Sequence, residues 1–226
     1  MKVRKLPELD ERLSTVVELT PRCNVVADIG ADHGHTACHL LDTGKCDQMI
    51  VTDISPKALA RAKAKLTLHG LERRARFYVA DGLAFLNEPV DAIVVTGMGA
   101  QTMVELLDRG KERLQNACLI LQPNRSPEAV RGWLADQNYT ITDERIAFAA
   151  GRYYVILRAK PGKPETDARM VYLGPCLLRD RPTYFNSYVR WRLNVLIAEG
   201  PGVERLDEQA AHAYAQRKRW MEDVLT

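Results

Sequence analysis

One recurring pattern constrains this chain most: a short apolar run, a turn carrying a carboxylate or a glycine, then a helical stretch. Val25–Gly30 (VVADIG), Met49–Ile54 (MIVTDI), Ala75–Val79, Val90–Gly97 (VDAIVVTG) and Ala117–Gln122 (ACLILQ) have strand length and apolar character. Val90–Gly97 is nearly continuously apolar, as a strand covered on both faces must be. Helical patterns stand between these runs, one around His35 to Leu41 and one from Ser55-Pro56 to Gly70. In the second, serine is the expected N-cap, proline the first helical residue and glycine the stop. Ser126-Pro127 repeats that start signal, and Glu8–Leu19 reads as an amphipathic helix ahead of the first strand. Tyr139–Ala147 and Arg152–Ala159 read as a closing antiparallel pair joined at Ala150-Gly151. Such alternation predicts a doubly wound α/β sheet.

The pattern stops at Lys160–Asp167 (KPGKPETD), whose prolines, glycine and charges suit a linker. Beyond it the expected elements are two helical arms, Thr183–Glu199 and Glu204–Leu225, separated by Gly200-Pro201-Gly202. Phe185, Val189, Leu193 and Leu196 stripe the first arm; Leu206, Ala210, Ala213, Trp220 and Val224 stripe the second. Packing of the arms on each other accounts for these stripes. The reading therefore divides the chain into a sheet domain, 1–160, and a helical hairpin, 161–226; a chain ending near Lys163 is expected to keep the sheet domain's ligand binding. A length of 226 residues, 46% of them hydrophobic, suits one large domain with a small appendage.

A net charge of +3 argues for no particular partner, so any nucleic-acid surface must come from local clustering. Arg179, Arg181, Arg190 and Arg192, with Lys160 and Lys163, form the candidate RNA-binding cluster; a solvated helix face is the competing explanation. Cys23, Cys38, Cys46, Cys118 and Cys176 are odd in number and scattered, which suits reduced thiols in a cytoplasmic protein. The basic N-terminus leads into no apolar stretch, and no run approaches the roughly 18 residues of a membrane span.

The first strand runs into Asp28-Ile29-Gly30-Ala31-Asp32-His33-Gly34. A glycine turn there suits a nucleotide-like ligand, but Asp32 replaces the second glycine of a G-x-G-x-x-G pattern. A carboxylate at that place repels a pyrophosphate and favours an amine. S-adenosyl-L-methionine (SAM) has an α-amino group and a sulfonium and no phosphate, so it becomes the expected cofactor. Asp53, with Ile54 beside it, ends the second strand, where a ribose diol is held in doubly wound folds. Asp81, before Gly82, follows the third strand and could accept from an adenine amino group. Each aspartate alone is better explained as a cap or turn residue. Three at consecutive strand ends point to a site at that edge. The fourth strand leads into Thr96-Gly97-Met98-Gly99 and the fifth ends in Gln122-Pro123-Asn124; Gly97–Gly99 and Gln122–Asn124 are expected to frame a flat base, with the glycines allowing close approach and Asn124 able to bond its edge. His33 and His35 have no third ligand nearby in sequence, so no metal is expected.

Taken together, DIGADHGH, ADGL, VDAIVVTGMGA and LQPN, in this order, resemble the bacterial tRNA adenine-22 N1-methyltransferases. The resemblance runs from about Leu6 to Lys160 and more loosely through Leu173–Leu178 and the Phe185/Tyr188 region. It implies a Rossmann-like SAM domain followed by a coiled-coil-like helical domain, and methylation of adenine N1 in tRNA. It places Asp28, Gly30, Asp32, His33, Gly34, Asp53, Ile54, Asp81, Gly82 and Thr96 at the cofactor, and Asp32, Gly97, Met98, Gly99, Pro123 and Asn124 at the reacting centre. Four positions depart from the usual pattern. Ala31 stands for a serine, His35 for an aromatic residue, Ala100 for a glycine and Asp53 for a glutamate. Two other readings remain open at this point: a SAM enzyme acting on a protein or small molecule, and a non-catalytic RNA-binding protein built on the same fold.

Overall fold

The computed structural model describes residues 6–203 and 207–226. Seven strands, β1 (Cys23–Ile29), β2 (Cys46–Asp53), β3 (Ala75–Val79), β4 (Ala92–Met98), β5 (Cys118–Pro123), β6 (Tyr139–Ala149) and β7 (Arg152–Pro161), form one sheet in the order β3-β2-β1-β4-β5-β7-β6. The first five are parallel; β7 is antiparallel to both β5 and β6. The helices are α1 (Glu11–Leu19), α2 (His35–Asp42), α3 (Pro56–Leu68), α4 (Ala100–Arg109), α5 (Pro127–Asp136), α6 (Ala168–Leu173), α7 (Pro175–Asp180), α8 (Phe185–Val203) and α9 (Glu208–Leu225).

The central strands alternate between two cores, as the period of two in a strand requires. Ala27, Ile93, Val95, Leu119 and Leu121 pack with α4, α5 and the C-terminal helices. Val26, Val51, Val94 and Ile120 pack with α1, α2 and α3. Both faces are covered, which explains the unbroken apolar runs. Ser55 caps α3 as expected, accepting from the Ala58 N–H at 3.3 Å. Ser126 does not: its backbone is left-handed (φ +52°) and its side chain makes no cap hydrogen bond. Helix α4 was not anticipated, although Ala100, Met103, Leu106 and Leu107 give it a buried stripe.

The C-terminal segment differs from its expectation in three ways. Two short helices, α6 and α7, follow the predicted linker. Helix α8 continues through residues 200–202, where a break was expected. Its connection to α9, including Leu206 and the expected start of the second arm at Glu204, lies outside the described residues. Most consequential, the segment shares a core with the sheet: Leu173, Leu177, Phe185, Val189, Met221 and Val224 belong to the same cluster as Leu119 and Leu157.

A buried ion pair fastens the joint. Arg131 of α5 donates from Nε to Glu144 of β6 at 2.7 Å, both side chains fully buried. Arg131 also donates to the carbonyls of Val171 and Tyr172, and Glu144 accepts from the N–H groups of Cys176 and Leu177. Gly174 sits over this pair at φ +104°; a β-carbon there would lie 2.7 Å from Arg131 and 2.8 Å from Glu144, so the helix junction requires glycine.

Candidate active site

The carboxyl ends of β1, β2, β4 and β5 meet at one edge of the sheet, the place where open α/β folds bind ligands. After β1 the chain turns through Gly30 (φ +72°), Asp32 (φ +44°) and Gly34 (φ +65°). Aspartate is one of the few side chains that tolerates this left-handed region. The N–H groups of Gly30 and Ala31 both donate to the Thr52 carbonyl at 2.9 Å, and the Asp32 N–H donates to the Asp53 carboxylate at 3.0 Å. These three donors are spent inside the protein. Gly34 lets α2 start against α3, since a β-carbon there would be 2.9 Å from the Ala62 side chain.

A cavity of about 380 Å³ opens beside this turn, lined by Gly30, Asp32, His33, Thr96, Gly97 and Asn124. Arg12, His35 and Tyr154 complete its wall. Asp32 points outward and is 66% exposed, with His33 Nε2 3.5 Å away. His33 also faces Arg61 at 3.3 Å, and His35 lies 2.7–2.9 Å from the Lys65 ammonium. Burial, then the charge of Lys65, holds His35 below its ordinary pKa. Asp53 is nearly buried and accepts from Ser55 N–H as well as from Asp32. Ile54 beside it is 69% exposed, an apolar platform at the sheet edge.

Asp28 lies beneath the turn. Its Oδ2 is buried without a hydrogen-bond partner, and burial, then repulsion from Asp53, pushes its carboxyl up to about 7. A cationic ligand above it would relieve that cost.

On the other side of the cavity, the β4 and β5 ends are tied together. Asn124 donates from Nδ2 to the Gly97 carbonyl at 2.8 Å, and its N–H donates to the Met98 carbonyl at 2.8 Å. Gln122 Oε1 accepts from Gly97 N–H at 3.2 Å and from Arg12 Nη1 at 2.7 Å. The Gly97–Gly99 loop and the Pro123-Asn124 turn are thus one wall. Arg12 and Tyr154 were missed from sequence. Arg12 comes from α1, 110 residues before Gln122, and its guanidinium also lies over the Tyr154 ring at 5.4 Å. No local motif marks it.

Three expected sites sit differently. Both Asp81 oxygens are held by Arg109, at 2.8 and 3.1 Å, although a carboxylate keeps lone pairs for a further donor. Arg192 does not face open solvent, its side chain being 12% exposed. It pairs with Glu128 at 3.2 Å, donates to the Tyr172 carbonyl and lies over the Tyr172 ring at 4.3 Å, so its charge holds α8 to α5 and α6. Lys160 and Lys163 fall at the opposite edge of the sheet. Strand β7 runs antiparallel to β5, pairing Ala159 with Leu119, so its end lies away from the strand ends that carry the cavity. Arg179, engaged by Asp180, and Arg181 and Arg190 are exposed.

Among the described residues no group of three or more His, Cys, Asp or Glu could hold a metal ion, and no helix is long and apolar enough to cross a membrane. Burial raises all five thiols, Cys38 and Cys46 to about 12, so they stay protonated.

The chain is similar to known methyltransferases in sequence and in fold. The methyltransferase domain family matches residues 9–157. The Bacillus subtilis tRNA (adenine(22)-N(1))-methyltransferase is 31% identical over 186 residues, covering 79% of this chain and 78% of that protein. The crystal structure of the B. subtilis m1A22 tRNA methyltransferase TrmK superposes with a TM-score of 0.86 at 26% identity, over 98% of this chain and 100% of that one. A Streptococcus pneumoniae protein, Sp1610, solved in complex with S-adenosyl-L-methionine, gives 0.86 at 25% identity over 97% of this chain and 100% of that one. With its turn, carboxylates and strand order in place, the chain belongs to the tRNA (adenine(22)-N(1))-methyltransferase family within the methyltransferase domain fold.

Proposed function

We propose that this chain methylates N1 of adenine 22 in tRNA, using S-adenosyl-L-methionine. The observation that carries the proposal is the single wall formed by Gly97–Gly99 and Pro123-Asn124 beside a cavity whose charged groups suit SAM. SAM supplies an electrophilic methyl group. Asp32 receives its α-amino group, Arg12 its carboxylate and Asp53 the ribose hydroxyls, while Ile54 offers an apolar face to the adenine and Asp28 places a carboxyl beneath the cationic centre. His33 and Thr96 line the same cavity, Gly34 ends the turn after β1, and Asp81, which lines a separate hollow with Gly82 and Arg109, accepts from the adenine amino group.

The target base needs positioning more than proton transfer, because adenine N1 carries a lone pair and no proton. Asn124 Nδ2 is occupied by the Gly97 carbonyl, and among the described residues its Oδ1 meets only Gln122 Nε2 at 3.4 Å. That oxygen is free to accept from the exocyclic amine of the base, which directs the neighbouring N1 into the cavity. The chain has no N/D-P-P-Y/F tetrapeptide after β4; Thr96-Gly97-Met98-Gly99 stands there, which favours ring nitrogen over exocyclic nitrogen. Arg179, Arg181 and Arg190 are the cations of the original cluster left to meet RNA.

Nucleoside mass spectrometry of tRNA incubated with the protein and SAM tests this reading. The expected product is N1-methyladenosine, with a reverse-transcription stop at position 22 and little product from tRNA carrying guanosine there. N6-methyladenosine or a methylated guanosine as the main product would refute it.

A further inference from the structure

A second cleft, of about 330 Å³, lies between the β5–α5 turn and the α8–α9 hairpin. Pro123, Asn124 and Arg125 form one side; Tyr188, Trp191 and Arg217 stand on the other. We infer that this cleft is a second base-binding site, taking an unstacked nucleotide next to the target adenine in the RNA. The inference rests on the tRNA reading above.

Three observations support it. The cleft shares Asn124 with the 380 Å³ cavity, so the two hollows lie on either side of one turn. An RNA strand delivering a base to one passes the other. The cavity side carries Asp32 and the strand-end carboxylates; the cleft has none of these, so it is not a second cofactor site.

The cleft is also built for a flat aromatic ring. Trp191 is 48% exposed yet held in place, stacked with Tyr188 at 6.1 Å and 27° and leaning on Tyr153 at 5.9 Å. A half-exposed, immobilised indole offers a face on which a base can stack whatever its identity.

The charges complement a nucleotide. Arg217 lies over the Tyr172 ring at 5.3 Å, and Arg125 has no carboxylate partner among the described residues, leaving both cations available to phosphate. Glu128 and Glu199, also in the lining, can accept from base amino groups. Extracting the target adenine unstacks its neighbour. A second stacking surface offsets that loss and holds the strand open.

The test is a cycle between the protein and the RNA. Trp191→Ala should raise KM for tRNA roughly 5- to 150-fold, the worth of one base–aromatic stack. Calorimetric affinity for SAM should stay unchanged, the melting temperature should fall by no more than about 6 °C from the lost ring contacts, and Trp191→Phe should restore most of the KM. A D-arm RNA abasic at the nucleotide flanking the target, on its 5′ or 3′ side, should lose a similar factor with wild-type protein and nothing further with Trp191→Ala. Normal KM for Trp191→Ala, or penalties from the two changes that multiply, would overturn the second site while leaving tRNA methylation standing. If wild-type protein methylates no tRNA, the functional reading fails and this inference with it.

Discussion

Replacing Glu144 by alanine should cost this protein a large share of its stability, although Glu144 touches no part of the cavity. The substitution leaves the Arg131 guanidinium buried with only two carbonyls, those of Val171 and Tyr172, at 3.3 and 3.2 Å. It also strands the Cys176 and Leu177 N–H groups that Glu144 now receives at 2.9 and 3.3 Å. Breaking one side of a buried pair costs about 3–5 kcal/mol, against a total of about 5–15 kcal/mol for a typical protein. At this chain length 1 kcal/mol moves the melting temperature by about 2–4 °C, so Glu144→Ala should melt roughly 6–20 °C below wild type. Circular dichroism followed through thermal unfolding is the assay. Glu144→Leu combined with Arg131→Met should cost much less than the sum of the two single changes, because no unpaired charge remains. The recovery should be incomplete, since the junction of α6 and α7 still loses its partners. A Glu144→Ala protein melting within about 2 °C of wild type, or single effects that simply add, would refute the claim that this pair fastens the C-terminal helices to the sheet.

Three further outcomes are expected. Arg12→Met should weaken SAM binding by about 10- to 150-fold, the range of a charge-assisted hydrogen bond, and should barely change binding of decarboxylated SAM; equal losses for both ligands in calorimetry would remove Arg12 from the carboxylate. Asp28 should make the ligand-free protein less stable as pH rises. Its carboxyl moves from an ordinary 3.8 to about 7 on folding, so the folded chain holds the extra proton, and the stability present below pH 3.8 is lost progressively up to about pH 7. Asp28→Asn should therefore flatten the dependence of melting temperature on pH between 5 and 8, and parallel profiles for the two proteins would count against this. A chain ending at Lys163, expected from sequence alone to keep its cofactor site, should instead lose cooperative unfolding, because it exposes the Leu119–Leu157 side of the core and removes the backbone partners of Arg131 and Glu144 in α6 and α7; a truncated protein with a sharp transition and wild-type SAM affinity would show that the sheet stands alone.

Local chemistry settled much of this molecule in advance. The apolar runs fixed strands to within a few residues because burial on both faces leaves little choice of side chain, and Ser55-Pro56 fixed the start of α3 because capping is satisfied within one turn. Asp32 in place of a glycine, and carboxylates at successive strand ends, pointed to a ligand with an amine and no phosphate, because those charges act on whatever occupies that edge. Position across the sheet was another matter. Lys160 looked close to the other cations along the chain, yet the antiparallel sense of β7 carries it to the far edge. Arg192 looked like a surface charge, yet Glu128 and the Tyr172 carbonyl, 64 and 20 residues away, draw it inward. Arg12 had no motif at all and joined the site only because α1 packs across the sheet onto Gln122. A charge's role depends on which groups share its low-dielectric surroundings, and for these residues those groups are assembled only when the chain folds.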